Sequence, residues 1–231
     1  MAGTQTGPDR ATALAWLRQA LADELDDLMR SSGFERSARS VSYGRPWGGG
    51  RQKVDFELIV RPHYAPDAVQ VSLSVSFVSA EIAAIARTML PADDADIVVR
   101  KDVIQRSVLD QITPNPPVLK FTSEPEARDA VGHVKSWVSS SVVPYLEARR
   151  SVEEFVRLDV RSLMDDSSGR SPRGPRAVVV AAAQRFLGRP EDALVTLEFA
   201  YPRESLERTY YDAAFMASPM AEVAPRTEAG A

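Results

Sequence analysis

Two stretches decide the fold: KVDFELIV (residues 53–60) and VQVSLSVSF (residues 69–77). In the first, Val54, Phe56, Leu58 and Val60 alternate with Lys53, Asp55, Glu57 and Ile59. In the second, Val69, Val71, Leu73, Val75 and Phe77 alternate with Gln70, Ser72, Ser74 and Ser76. A period of two marks strands with one face buried and one wet. Pro62 and Pro66 bracket a turn between them, so the two strands are antiparallel neighbours. Upstream, Val41 and Tyr43 alternate in the same way, which predicts a meander of strands at about 35–44, 52–61 and 68–78. Gly48-Gly49-Gly50 is expected to form the tip between the first two rather than strand. A further strand is expected near Ile97–Arg100 and a short one at Val118–Phe121, with Pro91 and the run Ala92–Asp96 as loop.

Helices flank this sheet. Leu14, Leu17, Leu21, Leu25 and Leu28 recur at steps of three and four, predicting a helix over 10–32 that ends at Gly33. Ile82, Ile85 and Met89 suit a short helix at 80–89. Ser123-Glu-Pro-Glu126 has the form of a capping box, and Val131, Val134, Val138 and Val142 share one face of a helix over 124–147, with Pro144 placed to kink it. Ser151-Val-Glu-Glu154 opens another helix, to about Met164. A hairpin of helices at 177–187 and 190–200 turns at Gly188, and a last helix covers about 204–217. The fold class read from this pattern is α+β: an antiparallel sheet of four to five strands packed by long helices, with a helical C-terminal extension. Its organisation is an α+β domain over 10–164, a flexible linker over 165–175, a helical extension over 176–218, and disordered tails at 1–9 and 219–231.

Composition narrows the chemistry. The 231 residues are 44% apolar and 26% charged, ordinary globular usage. The net charge of −4 disfavours general affinity for a phosphate backbone. With no cysteine, thiolate catalysis, disulfides and cysteine-ligated zinc are excluded. His63 reads as an exposed turn residue and His133 as a helix-surface residue. Neither G-x-S-x-G nor a Gly-Lys pair occurs, so no nucleophile elbow or phosphate loop is expected. No cofactor and no metal are expected. No apolar run approaches the ~20 residues of a membrane span, and no secretory signal opens the chain. The expected location is the cytoplasm.

The recognition candidates are Arg45, Trp47 and Arg51. They flank the glycines, and an exposed tryptophan between two arginines is a frequent anchor for a partner. The competing reading folds Trp47 back over the sheet. Arg149, Arg150, Arg170, Arg173 and Arg176 supply local positive charge, read as solvated. The serine face (Ser72, Ser74, Ser76) is expected to be covered by the C-terminal helices.

The order of pieces resembles a known arrangement. A long helix ends in Gly33-Phe34, a meander follows, then a helix ending in Val143-Pro-Tyr-Leu146 and a short helix after Ser151. Over about residues 12–163 the chain is similar to a bacterial family of uncharacterised α+β domains, some of them near toxin–immunity loci. The absence of catalytic motifs and this resemblance together point to a non-enzymatic protein-binding module of immunity or adaptor type, with another protein as partner; from composition, no membrane is expected and nucleic acid is disfavoured. The alternative is a small-molecule-binding or hydrolytic enzyme using carboxylates in a pocket.

Overall fold

The computed structural model describes residues 7–116, 118–165 and 173–217. The chain divides into two compact units, Met1–Ser79 with Val103–Glu154, and Ala80–Asp102 with Phe155–Ala231. This differs from the boundary expected at 164: the excursion at 80–102 belongs with the C-terminal helices, and the first unit ends ten residues sooner. Residues 166–172 of the expected linker, residue 218 of the expected extension, and residues 1–6 and 219–231 of the expected tails lie outside the described residues. Residues 173–175 already belong to a helix, and Gly7 is tied down, its carbonyl accepting from Arg61 Nη2 at 3.0 Å.

The first unit is an antiparallel sheet with helices on one face. Its strands are β1 (Glu35–Arg36), β2 (Ser42–Trp47), β3 (Gly50–Val60), β4 (Val69–Val78), β5 (Val103–Val108) and β6 (Leu119–Phe121), in the order β1-β2-β3-β4-β5 with β6 also on β4. That is six strands, one more than the largest number expected, because the expected strand at 35–44 splits into β1 and β2 around a turn. Register follows the apolar ladders: Val54 faces Val75, Phe56 faces Leu73 and Leu58 faces Val71. The β2–β3 hairpin turns on Gly48 (φ 41) and Gly49 (φ 75), both in the left-handed region, as a two-residue loop of the I′ kind requires. Gly50 is strand after all, paired with Trp47. A Cβ there would fall 1.8 Å from the Val78 carbonyl oxygen, so only glycine allows this approach of β3 to the end of β4.

On the inner face lie α1 (Arg10–Glu24) and α6 (Glu124–Trp137). Asp9 caps α1, its Oδ1 accepting from Thr12 N–H at 2.7 Å. The expected single helix breaks at Leu25 and resumes as α2 (Asp26–Ser31). Its buried stripe is Ala13, Leu17, Ala20, Leu21, Leu25 and Met29, one step away from Leu14 and Leu28. Gly33 (φ 79) ends it as a C′ glycine, with Phe34 N–H donating to Met29 O at 2.9 Å. Ser123 caps nothing with its side chain. Glu126 instead reaches back to Thr122 N–H and its hydroxyl at 2.7 and 2.8 Å. The kink expected at Pro144 is realised as a π turn, Val138–Val142, between α6 and α7 (Val143–Glu147). The wider turn relieves the clash of the proline ring with the preceding turn. Ser151 and Glu154 form a reciprocal capping box, at 3.2 and 3.3 Å.

The second unit is helical: α3 (Ala80–Met89), α4 (Ala92–Val98), α8 (Val152–Asp165, from Phe155 onward), α9 (Arg173–Phe186), α10 (Pro190–Ala200), α11 (Leu206–Tyr210) and α12 (Asp212–Met216). The first unit also holds the single turn α5 (Leu109–Ile112). The loop expected at 92–96 and the strand expected at 97–100 are overturned by α4. Pro91 precedes the helix with φ −54 and Asp93 and Asp94 sit in its first turn, where proline and carboxylates favour a helix start. The helical hairpin α9–α10 turns at Gly188 (φ 73), and Ala177, Ala181, Ala182 and Ala183 are buried, small enough to bring α9 close to its neighbours.

Candidate functional site

The β2–β3 hairpin carries two different faces. Trp47 pairs with Gly50, Arg45 with Gln52, and Tyr43 with Val54. All of these except glycine point inward. Pro46 pairs with Arg51, Gly44 with Lys53, and Ser42 with Asp55, and these face out.

The inner face is densely bonded, with Arg45 Nη2 its one buried side-chain nitrogen or oxygen among these residues that lacks a partner. Trp47 is 3% exposed, with its ring edge-to-face on Phe77 at 5.1 Å. Its Nε1–H donates to Arg149 O at 2.8 Å, and Gln52 Nε2 donates to the same oxygen at 2.8 Å and to Leu146 O at 3.1 Å. These bonds reach carbonyls at and beyond the end of α7, where Leu146 O also accepts from Arg149 N–H at 3.2 Å. Arg45, 6% exposed, lies over the Phe34 ring at 4.5 Å. It donates through Nε to Gln52 Oε1 at 2.7 Å, and through Nη1 to Ser32 O at 3.0 Å and to the Glu147 carboxylate. The expectation of an exposed tryptophan between two exposed arginines is therefore corrected. Trp47 folds back on the sheet, Arg45 is buried with it, and of the three residues only Arg51 faces solvent.

The outer face is open. A groove of about 450 Å³ lies across β1, β2 and β3, walled by Glu35, Arg51 and Lys53, with Gly44 as its floor; Arg36 and Tyr43, a pair in the inward-facing row, also line it. Ser37, Ser40 and Ser42 add hydroxyls along one side. Arg36 is spoken for: Nε and Nη2 hold both Asp26 oxygens at 2.9 and 2.8 Å. Tyr43 also donates to Asp26, at 2.6 Å. Burial alone would raise the Asp26 carboxyl, but hydrogen bonds from Arg36 and Tyr43 outweigh it and hold the group below the usual carboxylate range. Burial pushes the Tyr43 phenol up, and the hydrogen bond to Asp26 pushes it further the same way. This part of the lining is a fixed ion pair, with no proton to exchange near neutral pH. Arg51 and Lys53 differ: among the described residues neither has an ion-pair partner.

Beyond the groove the outer face continues as a flat polar surface. Ser74 and Ser76 are buried. Arg106 donates to Ser74 Oγ at 3.1 Å and pairs with Glu57 at 2.6 Å, and Ser76 donates to Asp55 at 3.2 Å. Glu57, Ile59 and Arg106 remain exposed.

The other sequence candidates disperse. His63 and His133 are exposed, as read. Arg149 stacks on Tyr145 at 4.0 Å, Arg150 lies 3.6 Å from Glu147, and Arg176 holds the fully buried Asp159 at 2.5 Å, so these arginines are not a free basic patch. Arg170 and the Arg173 side chain lie outside the described residues. Among the described residues no group of three histidine, aspartate or glutamate side chains converges to hold a metal, and no helix is long and apolar enough to cross a membrane. Sequence reasoning missed Gly44, Lys53 and Ser42. The signal was the strict alternation of β3, which places Arg51 and Lys53 on the wet side, together with the turn at Gly48-Gly49. No family model, no curated protein and no solved structure matches the chain.

Proposed function

We propose that the chain is a non-enzymatic recognition module of adaptor or immunity type, and that the outer face of its sheet receives a protein partner. The observation that carries this reading is the contrast between the two faces of one hairpin. The inner face spends its polar groups on two helix ends, whereas the outer face presents Arg51, Lys53, Glu57, Ile59 and Arg106 on a rigid sheet. Sites on strands hold their backbone with little freedom to lose, which lowers the entropic cost of association. The hydrolytic reading needs a carboxylate kept protonated for acid work or freed for base work in a cleft. Among the described residues the carboxylates with displaced pKa, Asp9, Asp26 and Glu126, are all displaced downward, each by a cap or an ion pair. The groove has a single carboxylate in its wall, Glu35. The bacterial immunity setting extends the resemblance noted over residues 12–163.

The test is a photo-crosslinking side chain at Ile59, which is 48% exposed and outside the groove, in cells expressing the full chain at native level. A single discrete protein adduct from position 59, with none from the exposed position 133 on α6, is expected. Equal labelling from both positions, or none from 59, refutes the reading.

A further inference from the structure

We infer that the groove over Gly44 binds the carboxylates of an acidic segment in that partner, with Arg51 and Lys53 as the ligating cations. This rests on the reading of the outer sheet face as a partner surface and names the chemistry of one part of it.

Three observations carry the inference. The first is the floor. Gly44 lies in mid-strand between Glu35 of β1 and Lys53 of β3, in one row across the outer face. A glycine inside a strand costs stability unless the backbone or a close approach requires it. Gly44 has no positive φ, and a methyl built on it would meet Arg51 Nε at 3.6 Å and Gln52 O at 3.7 Å, ordinary contact distances. The fold has room for a side chain here. What glycine provides is a low floor on which the Arg51 guanidinium rests, its Nε and Cζ 3.6 and 3.7 Å from where a Cβ would stand, with Lys53 the next residue in the row.

The second is charge. Of the ionised groups lining the groove, Arg36 is cancelled by Asp26 in a two-point ion pair. Arg51, Lys53 and Glu35 remain, two positive and one negative, so the groove is left with net +1. Arg51 presents a planar fork suited to a carboxylate, and Lys53 a point charge beside it. The third is extent. One pair further along β3 stands Asp55, opposite Ser42, and beyond it Glu57. The positive patch therefore ends after two side chains. That length matches one or two carboxylates of a peptide. A phosphodiester strand needs a longer basic track, and the chain's net charge of −4 offers none.

The measurement is fluorescence anisotropy of a dye-labelled hexaglutamate peptide titrated with the full-length protein at low salt. Saturable binding is expected, weakened about tenfold or more in R51Q/K53Q. The neutral block Gly44→Val is expected to weaken it to a similar degree while retaining the parent melting transition. Glu35→Gln is expected to tighten it. If Gly44→Val perturbs folding, Gly44→Ala with R51Q/K53Q carries the same comparison. Absence of saturable binding by the parent, equal affinity across these variants, or tighter binding of an oligothymidylate than of the peptide overturns the inference. The two levels separate at Ile59: an adduct that forms equally well in R51Q/K53Q removes the groove's role and leaves the sheet-face reading standing, whereas no adduct from any variant removes the reading itself.

Discussion

Replacing Trp47 by alanine empties a site that the ring fills almost completely. The side chain is 3% exposed, contacts Phe77 edge-on at 5.1 Å, and bonds the Arg149 carbonyl at 2.8 Å. Truncating a buried aromatic to alanine costs about 3–5 kcal/mol through lost transfer energy and the cavity left behind. The lost hydrogen bond adds little, because Gln52 Nε2 still donates to the same carbonyl. A chain of this length loses about 2–4 °C in melting temperature per kcal/mol, so the midpoint falls by roughly 6–20 °C. Trp47→Phe separates the terms: it keeps most of the ring and forfeits the bond, for about 0.5–1.5 kcal/mol. Thermal and urea unfolding followed by circular dichroism read both variants. A Trp47→Ala protein within about 0.5 kcal/mol of the parent refutes the assignment of Trp47 to the core and returns it to the list of partner anchors.

The two strand glycines respond oppositely to a methyl group. Gly50→Ala drives a Cβ into the Val78 carbonyl and costs about 1–3 kcal/mol, at the upper end because the obstacle is backbone; Gly44→Ala stays within about 0.5 kcal/mol, and urea midpoints compare them. Gln52→Leu strands Arg45 Nε, while Arg149 O keeps its bond from Trp47 and Leu146 O its bond from Arg149 N–H, for about 1–3 kcal/mol on the same assay. Asp26 contributes to the acid limb, beside Asp9 and Glu126, whose carboxyls are also lowered. Its folded pKa lies below its unfolded value, so its contribution is present above the unfolded value of about 3.9 and is lost as pH falls through the lower folded value. Asp26→Asn lowers stability at neutral pH and flattens the loss of stability below about pH 4; an unchanged acid limb in this variant refutes the role given to the Arg36–Asp26–Tyr43 cluster.

The sheet was legible because its ladders are long and strictly periodic. Residues 54–60 and 69–77 admit one register that puts the apolar residues of both strands on one face, and the structure adopts it, although Ser74 and Ser76 on the other face of β4 are buried too. Elements that depend on a local choice were harder. Pro91 reads as a breaker in isolation and acts as a helix starter beside Asp93 and Asp94. The division into units was hidden as well, since the excursion at 80–102 leaves between β4 and β5 and joins helices from the far end of the chain. The recognition triplet shows how a composition argument misleads. Arg45, Trp47 and Arg51 are close in sequence, yet a two-residue turn at Gly48-Gly49 gives positions 45 and 47 one face and position 51 the other. Counting parity through the turn separates them; counting residue types does not.

That parity also links the rigidity of the hairpin to what its outer face can do. Each inward side chain of β2 and β3 near the tip bonds or packs against a helix end: Trp47 and Gln52 at α7, Arg45 at both α2 and α7, and Tyr43 at the start of α2 through Asp26. Four anchors on one short hairpin leave its backbone little freedom, so the outward neighbours Gly44, Arg51 and Lys53 are carried on a fixed frame. Two cations held on such a frame, without partners of their own, keep their attraction for an incoming anion undiminished by an internal ion pair, and the frame has little freedom left to lose on binding. A mobile tip bearing the same residues would surrender part of that attraction to ordering the loop. The buried tryptophan thus serves recognition without touching a partner, by holding still the strand from which Arg51 projects.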